Sequence, residues 1–154
     1  MHIFVILEGK YILSSGQSLY TGQYLMSRNR KYFFWLQNDG NLVLYKCLHQ
    51  HCTSSTRRHH IWASNTNGKG NGPYKLIMQD NNYLVLYDAS SKPIWWVGNS
   101  ISQYKWLKGG YVIIQDNGNF VMYDGEHKLM WDTATYNGRQ GVYGEGRNHV
   151  SSII

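Results

Sequence analysis

Leu36-Gln37-Asn38-Asp39-Gly40-Asn41-Leu42-Val43-Leu44-Tyr45 is the stretch on which the fold of this chain is read. Asp39-Gly40 is a turn dipeptide, and the branched and aromatic residues beyond it favour extended backbone, so the segment reads as strand, turn, strand. Side chains of a strand alternate between its faces. Gln37, Asp39, Asn41, Val43 and Tyr45 therefore point one way, and Leu42 and Leu44 the other.

The unit recurs. A second copy runs Met78-Gln79-Asp80-Asn81-Asn82-Tyr83-Leu84-Val85-Leu86-Tyr87-Asp88, and a third runs Ile114-Gln115-Asp116-Asn117-Gly118-Asn119-Phe120-Val121-Met122-Tyr123-Asp124. Ile61-Trp62, Ile94-Trp95 and Met130-Trp131 follow the three copies. From Tyr to Trp is eight residues in copies two and three and seventeen in copy one, so copy one carries a nine-residue insertion. One such unit cannot bury its apolar face alone. Three must pack about a common axis, with Trp62, Trp95 and Trp131 as the residues expected to meet there. A three-sided β-prism and a β-trefoil both accept three β units of this length, and periodicity does not separate them.

The polar row of copy one sets an amide, a carboxylate, a second amide, a small apolar side chain and a phenol at fixed spacing. A sugar ring presents the complement: adjacent hydroxyls that donate and accept, and a C–H face that packs on Val or Tyr. Asn, Asp and Gly at a turn explain themselves in any single copy. The recurrence of Gln, Val and Tyr at the same offsets in three copies is harder to explain by turn chemistry.

The pattern Q-x-D-x-N-x-V-x-Y resembles the signature of the monocot mannose-binding, bulb-type (snowdrop-agglutinin-like) lectins, and Gln37, Asp39, Asn41, Val43 and Tyr45 match it in full. Tyr11 to Leu25, Ile61-Trp62-Ala63-Ser64-Asn65-Thr66 and Lys92-Pro93-Ile94-Trp95 are similar to further stretches of that family, over about residues 11 to 138. The resemblance implies an all-β fold, the β-prism II of three four-stranded antiparallel sheets in pseudo-threefold arrangement, with one shallow mannose site per sheet. It further implies Gln37 on the sugar 3-hydroxyl, Asp39 and Asn41 on the axial 2-hydroxyl, Tyr45 on the 4-hydroxyl and Val43 against ring carbons.

Copy three keeps Gln115, Asn119, Val121 and Tyr123 but has Asn117 where the family has Asp, exchanging a charge-assisted hydrogen bond for a neutral one of about half the strength. Weakened binding is expected there. Copy two keeps Gln79, Val85 and Tyr87 but has Asn81 at the Asp position and Tyr83 at the Asn position, which makes it the weakest or a dead site. The resemblance implies mannose-containing glycans and glycoproteins as partners, a role in glycan recognition or defence, and homodimers built by exchange of C-terminal strands. A prism that has lost sugar binding and serves as a protein-interaction or toxin-like module is the alternative.

The rest of the chain bounds these readings. Its 154 residues suit a single lectin domain over 1–138 followed by a Gly-rich tail, 139–154, that shows no strand pattern before Val150 and that the dimer contacts could involve. The net charge of +6 suits acidic surfaces, yet Arg57-Arg58 is the one tight basic run, so no nucleic-acid stripe is expected. No apolar run has the roughly 20 residues of a membrane helix. Met1 to Leu7 lacks a basic start and does not read as a secretory signal, which leaves the cytoplasm open beside the extracellular setting that is expected. Cys47 and Cys52, in an insertion with His49, His51, His59 and His60, suit a small loop-closing disulfide or free thiols and match metal spacing only loosely; no metal and no cofactor is expected. No paired carboxylates, nucleophile elbow or phosphate loop is present, so the chain is not read as an enzyme.

Overall fold

In the computed structural model, which describes residues 10–48, 51–53, 56–98 and 106–149, each repeat forms a three-stranded meander. The Met1–Leu7 stretch, His49 and Val150 lie outside the described residues. Copy one supplies β4 (Tyr32–Leu36), β5 (Leu42–Cys47) and β6 (Arg58–Ala63). Copy two supplies β7 (Lys75–Met78), β8 (Tyr83–Tyr87) and β9 (Pro93–Gly98), and copy three β10 (Tyr111–Ile114), β11 (Phe120–Tyr123) and β12 (Leu129–Asp132).

The short leading strands β1 (Ile12–Ser14), β2 (Ser18–Tyr20) and β3 (Tyr24–Met26) are dealt out one to each meander. β1 pairs with β10, β2 with β7 and β3 with β4, all antiparallel. Each inserts one fully buried leucine, Leu13, Leu19 or Leu25, at six-residue intervals. The result is a β-prism rather than a trefoil. The third sheet gains a fifth strand from the tail, β13 (Arg147–Asn148), antiparallel to β12.

Leu42, Leu44, Leu84, Leu86, Phe120 and Met122 face the common core, as the alternation requires. At its axis Trp62, Trp95 and Trp131 pack edge to face, with centroids 5.8, 6.0 and 6.1 Å apart. That geometry sets the positive ring edges against the negative faces.

Copy two also differs at the turn itself, where Asn82 stands in place of Gly40 and Gly118, and this exchange has a packing cause. Gly40, Asn82 and Gly118 hold the same left-handed turn position, with φ of 84°, 66° and 92°. A Cβ on Gly40 would lie 2.7 Å from the Tyr74 ring and one on Gly118 2.6 Å from the Tyr32 ring. In copy two Gly110 leaves that space open and the buried Asn82 side chain fills it, accepting from Gly110 N at 3.0 Å and donating to Leu107 O at 2.8 Å. Asn is among the few residues that tolerate this backbone.

The insertion likewise replaces a device. In copies two and three a carboxylate oxygen of Asp88 or Asp124 accepts from two backbone amides to close the turn before the next strand. Copy one has Lys46 at that place, which accepts nothing. Its longer turn is closed by a disulfide between Cys47 and Cys52 instead.

Candidate functional site

The five residues of copy one form one outer strip along β5 and the turn before it. Gln37 Nε2 donates to Tyr45 Oη across the strip. The same bond recurs as Gln79 to Tyr87 at 2.7 Å and Gln115 to Tyr123 at 3.1 Å, so the repeated Gln and Tyr orient each other in all three copies. Asp39 Oδ1 accepts from Asn41 N at 2.9 Å; Asn117 serves Asn119 N in the same way at 2.9 Å, and Asn81 serves Tyr83 N at 3.2 Å. This turn bond occupies one oxygen of Asp39. Val43 lies between Trp35 and Ala63 in register.

Asn41 is held by residues to which the sequence pattern assigned no role. Its Oδ1 accepts from Ser64 Oγ and from Thr66 N, both at 3.2 Å, while Thr66 Oγ1 donates to Gly40 O at 2.7 Å. Among the described residues nothing takes the Asn41 Nδ2 hydrogens. The amide is thus fixed through its acceptor, with its donor uncommitted among the described residues. Copy three builds the same cradle from Thr133 and Thr135 around Asn119 Oδ1. The hydroxyls two and four residues after Trp62 and Trp131 were the available signal; copy two has Val97 at the first of these positions.

The donor ends of the two amides differ. Asn119 is only 6 % exposed and its Nδ2 donates to Asp132 Oδ2 at 2.9 Å. Asp132 is the residue that follows Trp131, where copy one has Ala63. It also accepts from Arg147 Nε at 2.6 Å and Nη2 at 2.9 Å, a bidentate pair supplied by β13, and His149 Nε2 lies 3.5 Å away. The tail that showed no strand pattern therefore reaches copy three, where its Arg147 holds the Asp132 carboxylate that takes the Asn119 amide. In copy two the corresponding residue is Trp96, 57 % exposed and opposite Val85, beside Tyr83 at the amide position.

Burial pushes the Asp132 carboxyl up, but hydrogen bonds from Arg147 and Asn119 and the charges of Arg147 and His149 outweigh it and hold the group below its ordinary value. A depressed folded pKa gives stability that is present above the unfolded value of about 3.9 and is lost as pH falls through the folded one. Calorimetric melting from pH 6 downward is expected to show a decline setting in near about pH 4 that is shallower in Asp132→Asn. Parallel curves for the two proteins would count against the pair.

No protein-family model matches the chain. Its fold is similar to that of a monomeric monocot mannose-binding lectin from Gastrodia elata, with 31 % identity and a TM-score of 0.65 over 82 % of this chain and 99 % of that one. It is similar also to the mannose-specific agglutinin from snowdrop (Galanthus nivalis) bulbs, solved with methyl-α-D-mannoside, with 34 % identity and a TM-score of 0.58 over 82 % and 98 %. Comitin of Dictyostelium discoideum is 32 % identical over 91 residues, 59 % of this chain and 45 % of that protein. The chain spans less than half the length of the curated relatives it matches.

Proposed function

Since this chain belongs to the monocot mannose-binding, bulb-type lectin family, we propose that it recognises α-mannose-type sugars, foremost through the strip Gln37, Asp39, Asn41, Val43 and Tyr45. The family consists of carbohydrate-binding proteins, and the chain is not an enzyme. The observation that carries the site assignment is the Asn41 amide, pinned by Ser64 and Thr66 at its oxygen with no protein acceptor at its nitrogen among the described residues. Beside it stand the second oxygen of Asp39 and the mutually oriented Gln37 and Tyr45. That set matches an axial 2-hydroxyl with its 3- and 4-hydroxyl neighbours, and Val43 supplies the apolar contact.

The three copies rank differently in this reading. Copy one is complete. In copy three Gln115, Asn117, Asn119, Val121 and Tyr123 are all in place, but sugar must compete with Asp132 for the Asn119 donor, so this site is weaker for a reason beyond the Asn117 exchange. Copy two, with Gln79, Asn81, Tyr83, Val85 and Tyr87, offers no amide at the central position and is the weakest. A homodimer belongs to the proposal as an arrangement in which β13 leaves its own sheet for a partner's, and glycan recognition or defence is its biological setting.

Titration calorimetry with methyl α-mannoside is the test. Saturable heat with a Kd of about 1 mM, corresponding to roughly 4 kcal/mol, and one dominant site per chain is the expected result. Folded protein that gives no heat at tens of millimolar sugar would leave the protein-interaction module as the better reading.

A further inference from the structure

The charge of the chain is unevenly placed. Between residues 9 and 79 there are nine Lys and Arg but a single acid, Asp39, whereas residues 80–154 hold six Lys and Arg against seven acids. Copy one and its insertion therefore lie in the acid-poor half. Arg58, at the start of β6, sits opposite Cys47, one two-residue strand step of about 6.6–6.8 Å beyond the row of Tyr45. Its guanidinium lies over three rings of the outer face, 5.2 Å from the Tyr45 centroid, 5.6 Å from Trp35 and 5.7 Å from Phe33. Phe33 and Tyr45 are themselves stacked at 4.9 Å.

Ion pairs among the described residues all involve Asp132, so Arg58 has no carboxylate there. His60 pairs across from Tyr45 in the same ladder and is exposed, as are Arg57 and His59. The Tyr45 end of the strip thus opens onto a cation already ordered by aromatic faces. Such an arginine loses little conformational freedom on taking a ligand, and its planar fork suits phosphate oxygens.

We infer that site one takes mannose carrying a phosphate on its 6-oxygen, with Arg58 as the anion-binding residue. The inference rests on the reading of copy one as the mannose site with Tyr45 at the 4-hydroxyl. In a mannose ring the carbon bearing that hydroxyl adjoins the one carrying the 6-hydroxymethyl arm, so a 6-substituent leaves the strip on the Arg58 side. A neutral mannose leaves this cation unused; a 6-phosphate engages it without giving up any contact to Gln37, Asp39 or Asn41.

Calorimetry at pH 7.5 with methyl α-mannoside, its 6-phosphate, methyl α-glucoside 6-phosphate and inorganic phosphate, each at 50 and 500 mM NaCl, tests this directly. The 6-phosphate is expected to bind about tenfold more tightly than methyl α-mannoside at low salt, with the ratio shrinking at high salt because exposed charge is screened. In Arg58→Gln the ratio is expected to fall to about one, and in Arg58→Lys to be restored in part. Equal affinity for the two mannosides in the wild-type protein overturns the inference and leaves the mannose site standing. Binding of inorganic phosphate or the glucoside phosphate as tight as that of the mannoside phosphate also overturns it, since the patch would then hold anions without the sugar. If methyl α-mannoside and its phosphate both fail to bind, the reading of copy one fails, and this inference with it.

Discussion

Trp62→Ala is expected to lower stability by about 3–5 kcal/mol, the range for truncating a large buried aromatic. Trp62 is 0 % exposed, meets both other axial tryptophans and Phe34, and donates its Nε1 hydrogen to Glu145 O in the tail. Its removal therefore opens a cavity where all three sheets converge and frees a carbonyl of the segment leading into β13. For a chain of this size each kcal/mol shifts the melting temperature by roughly 2–4 °C, so a fall of about 6–20 °C is expected in scanning calorimetry. Because domains are stable by only about 5–15 kcal/mol, the variant is expected to express poorly at 37 °C. Trp96→Ala is the control: the neighbour of Trp95 in sequence is more than half exposed, and its loss is expected to change stability by less than about 0.5 kcal/mol. Equal losses for the two variants would mean that the axial cluster is not what joins the sheets.

The axial cluster was legible in the sequence because it repeats. Trp62, Trp95 and Trp131 stand at matching places after three matching strands, and any threefold arrangement must bring such positions together. The Gln–Tyr bond was legible for a related reason: Gln37 and Tyr45 are eight residues apart, an even number, and alternation puts them on one face. What escaped notice lacked a period. β1, β2 and β3 have three residues each, too few to show alternation, and each pairs with a different repeat. β13 has only two residues in a Gly-rich tail, and its hold on the fold comes from Arg147 meeting Asp132 fifteen positions earlier. The role of Asn82 was hidden because it depends on what is missing from Gly110, in another segment. Asp132 was visible as a residue, but its effect on Asn119 is a property of three side chains from two strands and a turn.

The paired variants Asn41→Asp and Asn119→Asp are expected to separate these contributions by failing in opposite ways. In both, the substituted side chain keeps the oxygen that accepts from its cradle, Ser64 Oγ and Thr66 N in copy one and Thr133 Oγ1 and Thr135 N in copy three, and exchanges the NH₂ donor for a carboxylate oxygen. In Asn41→Asp the lost donor was serving no described protein group, so stability is expected to move by less than about 1 kcal/mol. The sugar, in contrast, loses a bond to its 2-hydroxyl and meets a second carboxylate beside Asp39. A cost of about 2–3 kcal/mol, or roughly thirty- to 150-fold in Kd, is expected for methyl α-mannoside. In Asn119→Asp the lost donor was bonded to Asp132, itself 1 % exposed, and two carboxylates would then share one site with only Arg147 and His149 to offset them. That variant is expected to lose about 3 kcal/mol of stability, on the scale of an uncompensated buried charge, while binding methyl α-mannoside with nearly the heat of the wild type. Calorimetric titration and melting of the two proteins side by side decide the matter. Loss of sugar heat in Asn119→Asp with Asn41→Asp unaffected would invert the ranking and make copy three the principal site; loss in both would mean that sugar displaces the Asp132 contact readily and that the chain has two working sites.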